Sequence, residues 1–216
     1  MKKRSLRLLA ASAAVLCAAS AAHAGVLFSD LGTSGTIYNT SNNFAVVGTA
    51  YGAGATWANL FTVAGSGNLA VSQIDLALLY GNGGSFVASI WSDSSGVPGA
   101  QVGGASWSGT TTVSSCCALV SFQNISGVTL VGGQSYFLVV AAGIPLTTDY
   151  WVWNNQGATG TVASTTYGGS SWSANTATLS AFDVLGGSSA VPEPGTLLTL
   201  LVASAGLALS KRISRS

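Results

Sequence analysis

Between Gly25 and Ala190 the chain contains no lysine, arginine, histidine or glutamate. All seven cationic residues lie in the terminal segments, as Lys2, Lys3, Arg4 and Arg7 at one end and Lys211, Arg212 and Arg215 at the other. The one histidine, His23, just precedes this stretch, and the one glutamate, Glu193, just follows it. Five aspartates remain inside (Asp30, Asp75, Asp93, Asp149, Asp183), a formal charge near −5 that the whole-chain value of +1 conceals.

Each absence excludes a class of chemistry. Nucleic acid is held chiefly by cations that displace its counterions, so no nucleic-acid partner is expected. Acid–base catalysis near neutrality normally recruits His, Glu or Lys. A Ser-His-Asp arrangement and a histidine-bearing zinc site cannot be assembled. Two aspartates could still act together on a glycosidic bond, but nothing in the sequence pairs any two of the five. Asp93 and Asp149 lie near Gly, Ser and Thr in turns, yet neither sits in an oxygen-rich calcium loop. The expectation is a non-enzyme with no catalytic residue, no metal site and no cofactor.

Cysteine is nearly as scarce. Cys17 lies in the N-terminal apolar segment, and Leu16 before it is too large for a lipoprotein cleavage site. Cys116 and Cys117 are adjacent. In an oxidising compartment they could close a vicinal disulfide, bond to another chain, or remain as thiols. No cation lies near to lower either thiol's pKa, which argues for a local staple over a redox switch.

Helical periodicity is also missing between residues 25 and 190. Period-2 alternation is present instead. From Gln73 to Tyr80, Ile74, Leu76, Leu78 and Tyr80 share one face, with Gln73 and Asp75 on the other. Gly81 to Gly84 turns the chain, and Phe86 to Asp93 reads as the partner strand. Ser95 to Gly99 is a second turn. Val128–Val131 and Gln134–Ala141 flank Gly132-Gly133 as a two-residue hairpin. In the second of these strands both faces are apolar, so it should be buried on both sides. Residues 57–63, 119–124, 150–154 and 181–185 are further strands. Short strands with Gly-rich turns predict an all-β fold, an antiparallel jelly-roll-like sandwich over residues 25–185, followed by a flexible linker at 186–190. No internal repeat is present.

Trp151 and Trp153 point to one side of a strand and are followed by Asn154, Asn155 and Gln156. Exposed, they would form a glycan platform for stacking on a sugar ring. Turned inward, they would fill a sandwich core, the more economical place for large rings.

The terminal segments read as addresses. Lys2 to Arg7 forms a basic region, Leu8 to Ala19 an apolar one, and Ala22-His23-Ala24 a small-residue site for cleavage before Gly25, the pattern of a secretory signal peptide over residues 1–24. The export translocon and signal peptidase are the implied partners. At the other end, Val191-Pro192-Glu193-Pro194 forms a stiff collar, because proline fixes φ and lacks an amide donor. An apolar run from Leu197 to Leu209 follows, and Lys211 and Arg212 begin the basic end. The run is short against the ~20 residues of a spanning helix, so membrane contact through it would be transient. Basic residues at both ends keep both tips cytoplasmic and send the middle outside. An ordinary short anchor is the plainer alternative. A sortase signal would need Leu-Pro-x-Thr-Gly, and a GPI signal would not end in a basic cluster.

Collar, apolar helix and basic end together resemble the PEP-CTERM sorting signal over residues 191–216. That resemblance implies recognition by a membrane-embedded exosortase, removal of the tail, and delivery to the cell surface or extracellular matrix of a Gram-negative bacterium, alongside exopolysaccharide in a biofilm. A second resemblance lies in Leu60-Phe61-Thr62-Val63, Val71 to Leu76, Ser89 to Asp93 with Gly96-Val97-Pro98-Gly99, and Leu130 to Val139. These are similar to the choice-of-anchor ectodomains, β-rich exported domains joined to varying anchoring signals. The expected function is a non-catalytic exported surface or matrix protein. A carbohydrate-binding module on the cell surface is one alternative, and an Asp-dependent glycan hydrolase another.

Overall fold

The computed structural model describes residues 25–32, 38–82, 84–111 and 118–188. They form strands β1 (Gly25–Ser29), β2 (Tyr38–Val47), β3 (Thr56–Thr62), β4 (Asn68–Tyr80), β5 (Ser85–Asp93), β6 (Pro98–Thr110), β7 (Ala118–Gln123), β8 (Thr129–Val131), β9 (Ser135–Ala142), β10 (Thr148–Asn154), β11 (Thr159–Thr165), β12 (Ser173–Thr178) and β13 (Phe182–Ser188). A single 3-10 turn, Thr49–Tyr51, is the one helical element among the described residues. The fold is all-β, in two antiparallel sheets.

β4 organises the seven-stranded sheet. Its central residues alternate inward and outward, with Ile74, Leu76 and Leu78 fully buried on the inner side. One edge of β4 bonds first to β13, through Leu69 to Leu76, and then to β10, through Leu78 to Tyr80. The other edge bonds to β8 and then to β7. β1 lies outside β13, and β2 outside β10. The six-stranded sheet runs β12-β11-β3-β9-β5-β6. Its strand β9 is buried on both faces as the sequence predicts, with Leu138 and Val140 in the main core and Phe137 and Val139 in a second cluster behind it.

The main core draws from both sheets: Ile74, Leu76, Leu78, Trp151, Phe182 and Val184 meet Phe61, Phe86, Ile90 and Leu138. Aromatic rings knit the layers together. Phe61 of β3 lies edge-on to Phe182 of β13 at 5.8 Å, and Phe86 of β5 edge-on to Phe122 of β7 at 5.9 Å. Trp57 of β3 stacks on Phe44 at 4.3 Å and donates its indole N–H to the Ala45 carbonyl of β2, 2.8 Å away. Burial of each such ring contributes on the order of 2 kcal/mol, and the edge-on geometry suits the ring quadrupoles.

Two expected hairpins are instead crossings between sheets. β5 follows β4 after a tight turn, yet β5 pairs with β6 and β9, never with β4. The glycines are there for close approach: a Cβ on Gly81 would lie 2.1 Å from the Thr148 carbonyl oxygen, and one on Gly84 2.5 Å from the Thr147 hydroxyl. Gly132-Gly133 likewise turns the chain, with Gln134 N–H bonding Val131 O at 3.1 Å, but β8 joins β4 while β9 joins the other sheet. Of the linker expected at 186–190, residues 186–188 are strand and 189–190 lie outside the described residues. Gly186, Gly187 and Ser188 extend β13 along Val71, Ala70 and Leu69, and a Cβ on Gly186 would lie 2.0 Å from the Ala70 carbonyl oxygen.

This topology fixes where the chain enters and leaves. Gly25 pairs with Gly186, and Ser188 with Leu69, so both ends of the described body meet at one pole. The opposite pole carries the loops that follow Val47, Tyr80 and Ala142.

Candidate functional site

Most sequence-predicted sites fall outside the described residues. These are the signal peptide with Ala22 and Ala24, the pair Cys116 and Cys117, and the sorting motif Val191, Pro192, Glu193, Pro194, Lys211 and Arg212 with its apolar run. Gly25, the expected first residue after cleavage, opens β1. Among the described residues no helix is long and apolar enough to cross a membrane.

The tryptophan platform needs correction. Trp151 is fully buried, packed 5.7 Å from Phe182, with its indole N–H directed at the Ala181 carbonyl at 3.3 Å. Trp153 shares that inward side and is part-buried against Phe44 at 5.4 Å. Strand alternation correctly sets the two rings on one side, and that side is the core. The neighbouring amides are not a ligand rim either. Asn154 is buried and clamps its own loop, donating to Ala158 O and Leu179 O at 2.8 and 2.7 Å and accepting from Gln156 and Ala158 N–H. Gln156 donates to the Asp30 carbonyl at 2.9 Å.

The fold gathers three of the five aspartates that the sequence left unpaired. Asp75 of β4 and Asp183 of β13 are direct cross-strand partners on the outer side of the seven-stranded sheet. Asp30, just past β1, lies beside Asp183 and accepts the Phe182 N–H at 2.7 Å. Gln73 donates to both Asp75 oxygens, at 3.0 and 2.9 Å. One oxygen each of Asp30 and Asp183 is buried with no hydrogen-bond partner. Burial pushes the Asp30 carboxyl up to about 8, against the pull of the Phe182 amide and with a further push from Asp183. Burial also raises Asp183, opposed by a hydrogen bond from Ser29 and reinforced by the charge of Asp75. Asp149 stands apart in the core, raised by burial although Thr111 donates to it at 2.6 Å. With no cation nearby to oppose it, burial favours the protonated form of each of these three groups. Asp30 and Asp75 are 3% and 6% exposed, which leaves them no open face for a sugar ring. Among the described residues no group of three His, Cys, Asp or Glu side chains is placed to hold a metal ion.

Two aromatic features escaped the sequence reading. On the outer face of the six-stranded sheet, Trp91 and Trp172 meet edge-to-face at 6.5 Å beside Phe137. At the pole away from the chain ends, Tyr51 is 52% exposed, and its hydroxyl accepts a hydrogen bond from the Asn82 side chain. Ile144 and Leu146 stand exposed in the adjoining loop, fixed by Ala50 N–H to Pro145 O and Gly48 N–H to Thr147 O, each 2.9 Å. Every other aromatic ring among the described residues is buried or half-buried. Its sequence neighbours Gly48 and Gly52 mark a loop, but only tertiary contacts decide which ring such a loop turns outward. The chain was compared with models of protein families, with curated proteins and with solved structures, and none of the three gave a match.

Proposed function

We propose that this chain is a non-catalytic exported protein of the cell surface or extracellular matrix, delivered as a jelly-roll-like sandwich and released by an exosortase that removes its PEP-CTERM-like tail. The observation that carries this reading is the partition of charge: seven cations in the two terminal segments and none from Gly25 to Ala190. Basic clusters resist translocation, so a chain arranged in this way is suited to send its middle across and keep its tips behind. The acidic body, having no cation, fits hydrated neutral or anionic exopolysaccharide without ionic cross-links.

Deleting Pro192 to Pro194 in the native host should leave full-length protein in the inner membrane. Mass spectrometry of the wild-type surface form should find a chain that begins at Gly25 and lacks Lys211 and Arg212. Normal release of the deletion variant, or a surface form running from Met1 to Ser216, would overturn the reading.

A second reading, glycan binding at the cell surface, is favoured by Tyr51. An exposed ring held in place by Asn82 suits stacking on a sugar, whereas Trp151 is enclosed. Tyr51→Ala should then reduce retention on a neutral glycan column while the melting temperature stays within a few degrees, and unchanged retention would dismiss the idea.

A further inference from the structure

An outer strand offers a row of unpaired backbone groups to any second strand, and folded proteins normally blunt such edges with lysine, proline, bulges or brevity. This body has no lysine, so it must rely on the other devices. Most of its outer strands use them. The β1 ladder shifts register between Val26 and Phe28. The ladder between β2 and β10 shifts after Val152. β6 begins at Pro98, breaks register twice against β5, and carries Gly103 and Gly104 at φ of 64° and 63°. β7 and β8 divide one edge of β4 into two short pieces.

β12 is six residues long, no shorter than β7, and uses none of the other devices. Its ladder with β11 runs unbroken from Ser164↔Ser173 to Thr159↔Thr178. Its sequence, Ser-Ala-Asn-Thr-Ala-Thr, contains no charge, proline or glycine, and Ser173, Ala174, Asn175 and Thr176 are exposed. Among the described residues no strand pairs with its outer edge.

We propose that the outer edge of β12 pairs antiparallel with β12 of a second copy of this chain, joining two six-stranded sheets into one. The edge is self-complementary. A two-fold axis through Asn175 sets Ala174 opposite Thr176 of the second copy and Ser173 opposite Ala177, small uncharged pairs without a clash or a like-charge contact. A bare peptide edge takes another strand and little else, and the absence of charge removes the repulsion that would keep two acidic bodies apart at this strip. Because antiparallel pairing reverses direction, the pole that holds Gly25 and Ser188 in the second copy lies opposite that of the first. An edge-only contact is small, so the dimer is weak in dilute solution and favoured where copies are crowded. This pairing does not depend on the sorting reading.

The test is sedimentation of the full-length protein in mild detergent across a concentration series. Wild type should show a monomer–dimer equilibrium. Ala174→Lys with Thr176→Lys, both already exposed, should keep the circular dichroism of the fold and weaken association by roughly 100-fold, since four like charges would face one another. Ser106→Lys with Ser108→Lys on the β6 edge should leave association unchanged. A wild type that stays monomeric throughout, or a β12 variant that dimerises as before, overturns the proposal. So does a β6 variant that abolishes the dimer.

Discussion

On the outer face of the seven-stranded sheet Asp30, Asp75 and Asp183 are drawn together; on the outer face of the six-stranded sheet it is Phe137, Trp91 and Trp172. Both faces bury or half-bury what they carry, and the two burials have different consequences. Apolar rings lose nothing when removed from water, so that face should not respond to pH. Burial with no cation at hand raises the Asp30 and Asp183 carboxyls, so the other face should. A chain that sends all its cations to its tips leaves its buried Asp30, Asp149 and Asp183 without a positive partner to oppose that rise.

Substitution in the shared core should affect both faces together and most severely. Trp151→Ala removes the largest fully buried side chain, and a loss of about 3–5 kcal/mol is expected in chemical unfolding. A loss under about 1 kcal/mol would mean that the indole is not enclosed as described.

The next effect separates the faces. In the folded state Asp30 titrates at about 8 rather than 3.8, so below pH 3.8 both folded and unfolded forms hold the proton and the contribution is complete. Between pH 3.8 and 8 only the folded form holds it, and stability falls by up to about 1.4 kcal/mol per pH unit before levelling out. Asp183 and Asp149, raised in the same direction, add to the fall. Asp30→Asn keeps an acceptor for the Phe182 amide and removes the charge. It should match wild type near pH 4 and exceed it near pH 8, by thermal melting across that range. Parallel curves would contradict the assignment.

The smallest effect belongs to the apolar face. Trp172→Ala deletes one ring of an edge-to-face pair and should cost about 1 kcal/mol. The slope of stability against pH should be unaltered. A changed slope would show that the two faces are coupled.

Local pattern made β4 legible by its alternation and β9 by its continuous apolar run, because both signals are set residue by residue. Sheet membership is not local. Gly81 to Gly84 and Gly132-Gly133 carry real turns, but nothing in those residues says that the next strand joins the opposite layer. β1, β2, β6, β11 and β12 went unread because Ser, Thr, Asn and Gly blur the alternation in strands that lie at or next to an edge. The site suffered in the same way. Period 2 puts Trp151 and Trp153 on one side without saying which side is wet, and Asp30 meets Asp183 only because the first and last described strands lie together.

That neighbouring of first and last strands also decides how the body would bear tension. Gly25 and Ser188 lie at one pole, so a pull between that end of the body and anything gripping the far pole runs along the strands and across their hydrogen bonds. Such a load is shared by a whole ladder at once. The same force applied sideways would open β13 from β4 one bond at a time, like a zip.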